Sequence, residues 1–243
     1  MTQDVDDPRR RLLVESLSLG LFAGSNLASL FQPGHALGDS PVKLPDGRSI
    51  YKLQGRVMVD GRPADINTRI EPSSRIDTGS NSSVIFVVAS DAFMLRSNSQ
   101  LELGSSEGLI IEGMRILSGK LLSVFGKREK PHQITTITAT IGIRGTGIYI
   151  ESDPEKSYVC TCYGQTRIVA NADPDVSIDL ATKYHDEPYY VLPAAAGSGK
   201  LIVAAPVINH TDAELTLIEE LVGRTPPFDF PGGGYQLKRE RNY

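Results

Sequence analysis

The chain has 243 residues and a net charge of −4, with 25 basic and 29 acidic side chains. That balance argues against an extended surface that grips nucleic-acid phosphates. Apolar residues at 40% and charged residues at 22% argue against global disorder, and two cysteines are too few for a disulfide-stapled mini-domain.

Residues 1–38 read as an export signal. Arg9, Arg10 and Arg11 form a basic start, Leu12 to Phe31 a moderately apolar run, and Ala36 and Gly38 offer small residues for cleavage near Gly38. Arg9-Arg10-Arg11-Leu12-Leu13 is similar to a twin-arginine core, with Pro8 and Val14 departing from it. Glu15, Ser16, Ser18, Gly20, Gly24, Ser25 and Asn26 make the run too polar for a permanent membrane span. The expected location is the periplasm. The competing reading is an amphipathic helix packed on the body. Residues 39–54 read as a linker.

Residues 55–170 read as strand after strand, so the expected fold is mainly β. Gln54 to Gly61 is a short alternating run that closes on an Asp60-Gly61 turn. Asp77 to Ser83 is a turn cluster, and Val84 to Val88 is a β-branched run suited to burial on both faces. Further strands are expected at 93–96, 100–103, 108–113, 114–119, 120–124, 134–143, 147–151 and 158–163. A β-solenoid of short coils and a two-sheet sandwich both fit this rhythm.

Residues 171–243 read as a C-terminal extension. Residues 170–186 are mixed and polar, Pro188 to Pro193 is extended, and Leu201 to Ile208 is a further strand candidate. One amphipathic helix is expected at 211–223. Thr211 and Glu214 form a capping box, Leu215, Ile218, Leu221 and Val222 share a face, and Gly223 with Pro226-Pro227 ends it. The tail with Lys238, Arg239 and Arg241 reads as solvated.

Gly55-Arg56-Val57, Ile76-Asp77-Thr78-Gly79-Ser80, Leu117-Ser118-Gly119 and Thr138 to Gly147, which contains Arg144-Gly145-Thr146, recur in order. With the strand Tyr158 to Ile168, this pattern resembles the FecR domain over about residues 55–170. The family's best-known members are membrane regulators that restrain a sigma factor. Only eight residues precede Arg9, so the resemblance does not carry that role here. It implies an exported, non-enzymatic β module that binds or scaffolds a protein or cell-envelope partner. Arg144, Gly145, Thr146, Thr78 and Gly79 are then structural, with Gly145 enabling a turn, Arg144 donating to carbonyls and Thr146 bonding locally.

Two further chemistries are legible. Cys160-Thr161-Cys162 lies in a strand, so alternation puts both thiols on one face. Two thiolates with a histidine can hold Zn or Cu(I). His185 is the leading partner, with His132 and His210 as other candidates; a disulfide or two core residues are the alternatives. Asp77-Thr78-Gly79-Ser80 matches the tetrapeptide of aspartic proteases, which here would need a second copy to supply the second Asp. Gly199-Lys200 lacks the flanking residues of a phosphate loop.

Overall fold

Fourteen strands and one helix form among the residues that the computed structural model describes: 44–45, 47–104, 111–127, 132–185, 187–194 and 199–228. In chain order these are β1 (Ile50–Gln54), β2 (Val57–Val59), β3 (Arg62–Pro63), β4 (Arg75–Thr78), β5 (Ser83–Val88), β6 (Asp91–Leu95) and β7 (Gln100–Gly104). Then come β8 (Gly113–Val124), β9 (His132–Thr135), β10 (Ala139–Ser152), β11 (Ser157–Ala170), β12 (Asp173–Thr182), β13 (Tyr189–Val191), β14 (Ile202–Ala204) and the helix α1 (Asp212–Leu221). All strands join one open sheet, and every pairing is antiparallel except β8 with β9. The export signal expected at 1–38 and the tail from 229 lie outside the described residues, as does most of the linker before Arg48.

Three long strands fold this sheet onto itself. The first half of β8 pairs with β7 and β9, while its second half, from Gly119, pairs with β10 and β6. The first half of β10 pairs with β9 and its second half, Gly147–Ser152, with β8. The start of β11 pairs with β13 and its end, from Gly164, with β12. Gly119 at φ 94°, Gly145 at φ 57° and Gly164 at φ 94° sit at these changes of partner. A positive φ turns the strand without ending it, which is the usual device where strands serve two packed layers. The registers therefore fit a two-layer arrangement.

The core lies between the layers. Ile76, Leu101, Ile116, Ile134 and Ile141 from the first layer pack with Phe86, Phe93, Leu121, Ile148 and Ile150 from the second. The second layer is apolar on its other face too. There Ile85, Met94, Leu122, Tyr149, Tyr158, Cys160 and Cys162 pack under Leu215, Ile218 and Leu221 of α1. This double burial explains the unbroken buried runs at Asp91–Leu95 and Ser157–Tyr163.

Several element boundaries differ from those the sequence predicts. Runs predicted as separate strands at 114–119 and 120–124 are one strand, β8, because Gly119 bends it. The segment around Arg144-Gly145-Thr146 is likewise a bend inside β10 and not a turn between strands. The predicted strand 134–143 is divided instead, because Thr136 and Ala139 close a tight turn there. Residues 173–182, within the stretch read as mixed and polar, form β12, a mostly exposed strand carrying Asp173, Asp175 and Asp179. The sheet also passes both predicted borders of the β region, with β1 before Gly55 and β12 to β14 after Ala170.

The proposed structural motifs have local roles. The Thr146 hydroxyl donates to the Gln165 carbonyl (2.9 Å) and accepts from the Arg144 N–H (3.1 Å). Thr78 accepts from the Ser99 N–H (2.9 Å), and the Gly79 N–H donates to the Arg56 carbonyl (2.9 Å). Arg144 is exposed.

The helix α1 is capped as its sequence predicts. The Glu214 N–H donates to Thr211 Oγ1 (3.2 Å), and the Thr211 N–H donates to Glu214 Oε2 (2.8 Å). Its far end is held by a buried polar cluster. Glu219, 3% exposed, accepts from the Tyr163 hydroxyl and from Arg224 Nε (2.6 Å). Burial raises the Glu219 carboxyl above its ordinary value of 4.5, although Tyr163 and Arg224 pull it back. Among the described residues no helix is long and apolar enough to cross a membrane.

Two outcomes follow from this architecture. A Cβ at Gly164 would stand 2.6 Å from the Gly145 carbonyl oxygen at an unfavourable φ. Gly164→Ala should therefore cost about 2 kcal/mol or more, read as a lower urea midpoint. The folded protein takes up a proton at Glu219 more readily than the unfolded chain. That contribution is complete below the unfolded pKa and is lost as pH rises through the folded one. Relative to Glu219→Gln, the wild type should lose stability as pH is raised from about 4 towards neutrality. Urea titrations at several pH values check this, and a constant difference would contradict it.

Candidate metal centre

Burial on both faces is what places the two cysteines. Along the first half of β11, Val159 points into the main core while Tyr158, Cys160 and Cys162 point to the opposite face. Both thiols are free and fully buried. The shared face read from alternation is therefore the face beneath the C-terminal segment.

Two other segments meet the thiols there. At the end of β12 the Thr182 hydroxyl donates to the Thr161 carbonyl (3.0 Å), and just beyond it the His185 N–H donates to the Cys162 carbonyl (2.9 Å). These bonds hold His185, at φ 40°, against β11. The segment leading to α1 crosses the same face. The Tyr158 hydroxyl donates to the Pro206 carbonyl (2.9 Å) and accepts from the Ile208 N–H (3.2 Å). Asn209 turns at φ 58°, and His210 stacks on Tyr149 with ring centres 4.6 Å apart.

The result is a cluster of Cys160, Cys162, His185 and His210 whose ligand atoms all lie within 4.8 Å of one another. His185 Nδ1 is 3.5 Å from Cys160 Sγ and 3.0 Å from His210 Nε2. A tetrahedral zinc site has S···N edges of about 3.6 Å and N···N edges of about 3.3 Å, given its bond lengths. The histidines are also oriented from behind. His185 Nε2 lies 3.1 Å from Asp212 Oδ1, and His210 Nδ1 lies 2.6 Å from the Ile208 carbonyl. Carboxylate and carbonyl oxygens only accept, so both outer nitrogens are the donors. In the neutral rings the inner nitrogens then carry lone pairs that face each other. Tyr184 completes the outer arrangement by donating to Asp212 Oδ2 (2.7 Å).

Four lone-pair donors converging in a dry site need a cation or a proton among them. Without a metal, the hydrogen bond from Cys162 lowers the Cys160 thiol well below its ordinary value, assisted by His185 and His210 and opposed by burial. Burial raises the Cys162 thiol. For His185, burial acts to lower the pKa, but hydrogen bonding and charge from Cys160, together with Asp212, outweigh it and raise the value. Cys160 and His185 thus each favour the charged form of the other. Cys162 Sγ also lies 3.7 Å from the Cys160 carbonyl, and a single metal ion at the centre would meet all four donors at once.

Of the histidine candidates, His185 and His210 join the thiols. His132 lies on β9 against Phe125, with ring centres 5.8 Å apart. Asp212 escapes the sequence reading; its position in the first turn of α1, two residues after His210, is the only signal. Asp77 lies within β4, where Arg75 Nε reaches its Oδ2 at 3.1 Å. Two polar surface grooves lie outside the cluster, about 420 Å³ beside Asp77 and about 610 Å³ beside Lys120 and Asn209.

No family model matches the chain, and no curated protein matches it. Among solved structures it is similar to two crystal structures, at 2.50 and 1.65 Å resolution, of a “putative anti-sigma factor” from Parabacteroides distasonis. Identity is 13% and 14%, and the TM-score is 0.44 for both. Each match covers 54% of this chain and 58% of the other, so the chain spans little more than half the length of these structures.

Proposed function

We propose that this chain is an exported, non-enzymatic β module that carries a structural zinc ion on Cys160, Cys162, His185 and His210. The observation that carries this reading is the inward pair of histidine nitrogens, both made acceptors by Asp212 and the Ile208 carbonyl, beside two buried thiols. Two thiolates and two imidazoles in tetrahedral array suit zinc better than the carboxylate-bound metals. Four protein donors leave no open position for a substrate or reactive water, which supports a structural and not a catalytic ion. The carboxylate behind His185 is the outer-shell partner that zinc-bound histidines usually have.

The wider role is a binding or scaffold module in the periplasm with a protein or cell-envelope partner. The FecR-like pattern from Gly55 to Ile168 and the signal-like segment ending near Gly38 support it. The protease reading of Asp77 is less favoured, because Arg75 already occupies that carboxylate on the same strand.

Elemental analysis of protein purified without oxygen should find about one zinc per chain, a ratio set by the one four-donor cluster among the described residues. Cys160→Ser/Cys162→Ser should hold close to none, and equal metal in both proteins would reject the site. Asp212→Asn should weaken zinc affinity about 10–100-fold in a chelator competition, the usual cost of losing an outer-shell partner. Export has a separate check. The N-terminus of periplasmic protein should begin near Asp39, and an intact Met1 on cytosolic protein would contradict it.

A further inference from the structure

We propose that the metal acts as a latch: its occupancy holds residues 205–224 on the outer face of the second layer, and its loss frees that segment while the sheet stays folded. This rests on the zinc reading above and concerns its regulation.

The latch follows from where the four donors come from. Cys160 and Cys162 belong to β11, and His185 is tied to that strand through its N–H on the Cys162 carbonyl. His210 is the one donor supplied by the segment leading into α1. The metal is therefore a joint between the sheet and this segment. Everything near the start of α1 follows from that joint: Thr211 is the cap, and Asp212 bonds back to the His185 ring.

Without the metal, that end loses its cohesion. The ring of His210 then reaches the sheet-borne donors only through the 3.0 Å approach of its Nε2 to His185 Nδ1. A helix of 10 residues is marginal on its own, so α1 depends on what it touches. What remains is its apolar stripe, the part-buried Arg96–Glu214 pair, the Tyr163–Glu219–Arg224 cluster at the far end, and single contacts along the approach: Tyr158 to Pro206 and Ile208, Asn209 to Glu151, His210 on Tyr149 and Tyr184 to Asp212.

The sheet has no such dependence. Tyr149 on β10 is paired on one side with Leu122 and on the other with Cys160, so the ladder beneath the centre closes through backbone bonds. Local opening of one edge element above an intact sheet is the pattern expected where stability is unevenly distributed. The occupant of the apolar face is this chain's own segment. Release would uncover Leu122, Tyr149 and Tyr158 and remove Asn209 from the wall of the 610 Å³ groove, so groove and cover exist together only in the latched form.

Hydrogen exchange on the full chain tests this, with zinc measured in the same samples. Protein carrying one zinc per chain is compared before and after treatment with 1,10-phenanthroline under reducing conditions. Removal should speed exchange of the amides at 215–224 by about tenfold or more, and change those at 148–152 by less than about twofold. Added zinc should restore protection. His210→Ala should show the fast helix exchange even with zinc present. If it does not fold, Asp212→Asn should need more zinc than the wild type for equal protection. Zinc-loaded protein whose helix exchange is unchanged by chelation overturns the latch and leaves the metal centre standing. Equal loss of protection at 148–152 overturns local release. Wild-type protein with no bound zinc overturns the metal reading itself.

Discussion

The second layer of the sheet is apolar on both faces, and this constraint governs the rest of the molecule. It arises because β8, β10 and β11 each bend at a glycine and serve two layers. One face of the second layer closes the core with Phe86, Phe93, Ile148 and Val159. The other face cannot stay in water, since it carries Leu122, Tyr149 and Tyr158 at nearly full burial. Exposed patches of that kind are costly and prone to association. The chain after β14 therefore has to return across this face. The amphipathic stripe of α1 is the apolar part of that cover.

A cover made only of apolar groups would be simpler than the one observed. This one brings His185, His210, Asp212 and Glu219 into a dry space, where polar groups need partners. Each has them. Glu219 is met by Tyr163 and Arg224, Asp212 by Tyr184 and His185, and the outer nitrogen of His210 by a carbonyl. At the centre stand two imidazole lone pairs beside two thiols, with Cys160 Sγ 3.5 Å from His185 Nδ1 and Cys162 Sγ 3.7 Å from the Cys160 carbonyl. Convergence of four such ligand atoms within 4.8 Å of one another is what distinguishes a ligand set from general polar packing.

The parts of this arrangement that depend on short-range pattern were legible in the sequence. Alternation alone put Cys160 and Cys162 on one face, and Thr211 with Glu214 marked the start of α1. Glycine was misread where it bends a strand: Gly119 and Gly145 carry the same turn signature whether the chain reverses or only changes layer. The residues of β12 read as mixed and polar because Asp173-Pro174-Asp175 opens the strand, although Val176, Ile178 and Leu180 alternate with Ser177 and Asp179 and pack on the core. The convergence of His185 and His210 was not readable at all. They lie 25 residues apart, joined only because β12 returns beside β11 and the later segment crosses both. Asp212 was hidden for the same reason, since its role exists only once His185 is beside it.

Charge balance then discriminates among cations for the cluster. The thiols are fully buried, and His210 is 2% exposed, so a net charge there would be poorly solvated. Two thiolates and two neutral imidazoles carry a total of −2, which a divalent ion neutralises. A monovalent copper ion would leave one negative charge uncompensated among Tyr149, Tyr158 and Leu122. Asp212 adds its own negative charge behind His185, but it stands in the first turn of α1, where the free amides and the helix dipole favour an anion. Tyr184 donates to it from the other side. The carboxylate is thus stabilised by the helix that it helps to seat, and on the proposed zinc reading a divalent ion would balance the charge of the inner four donors.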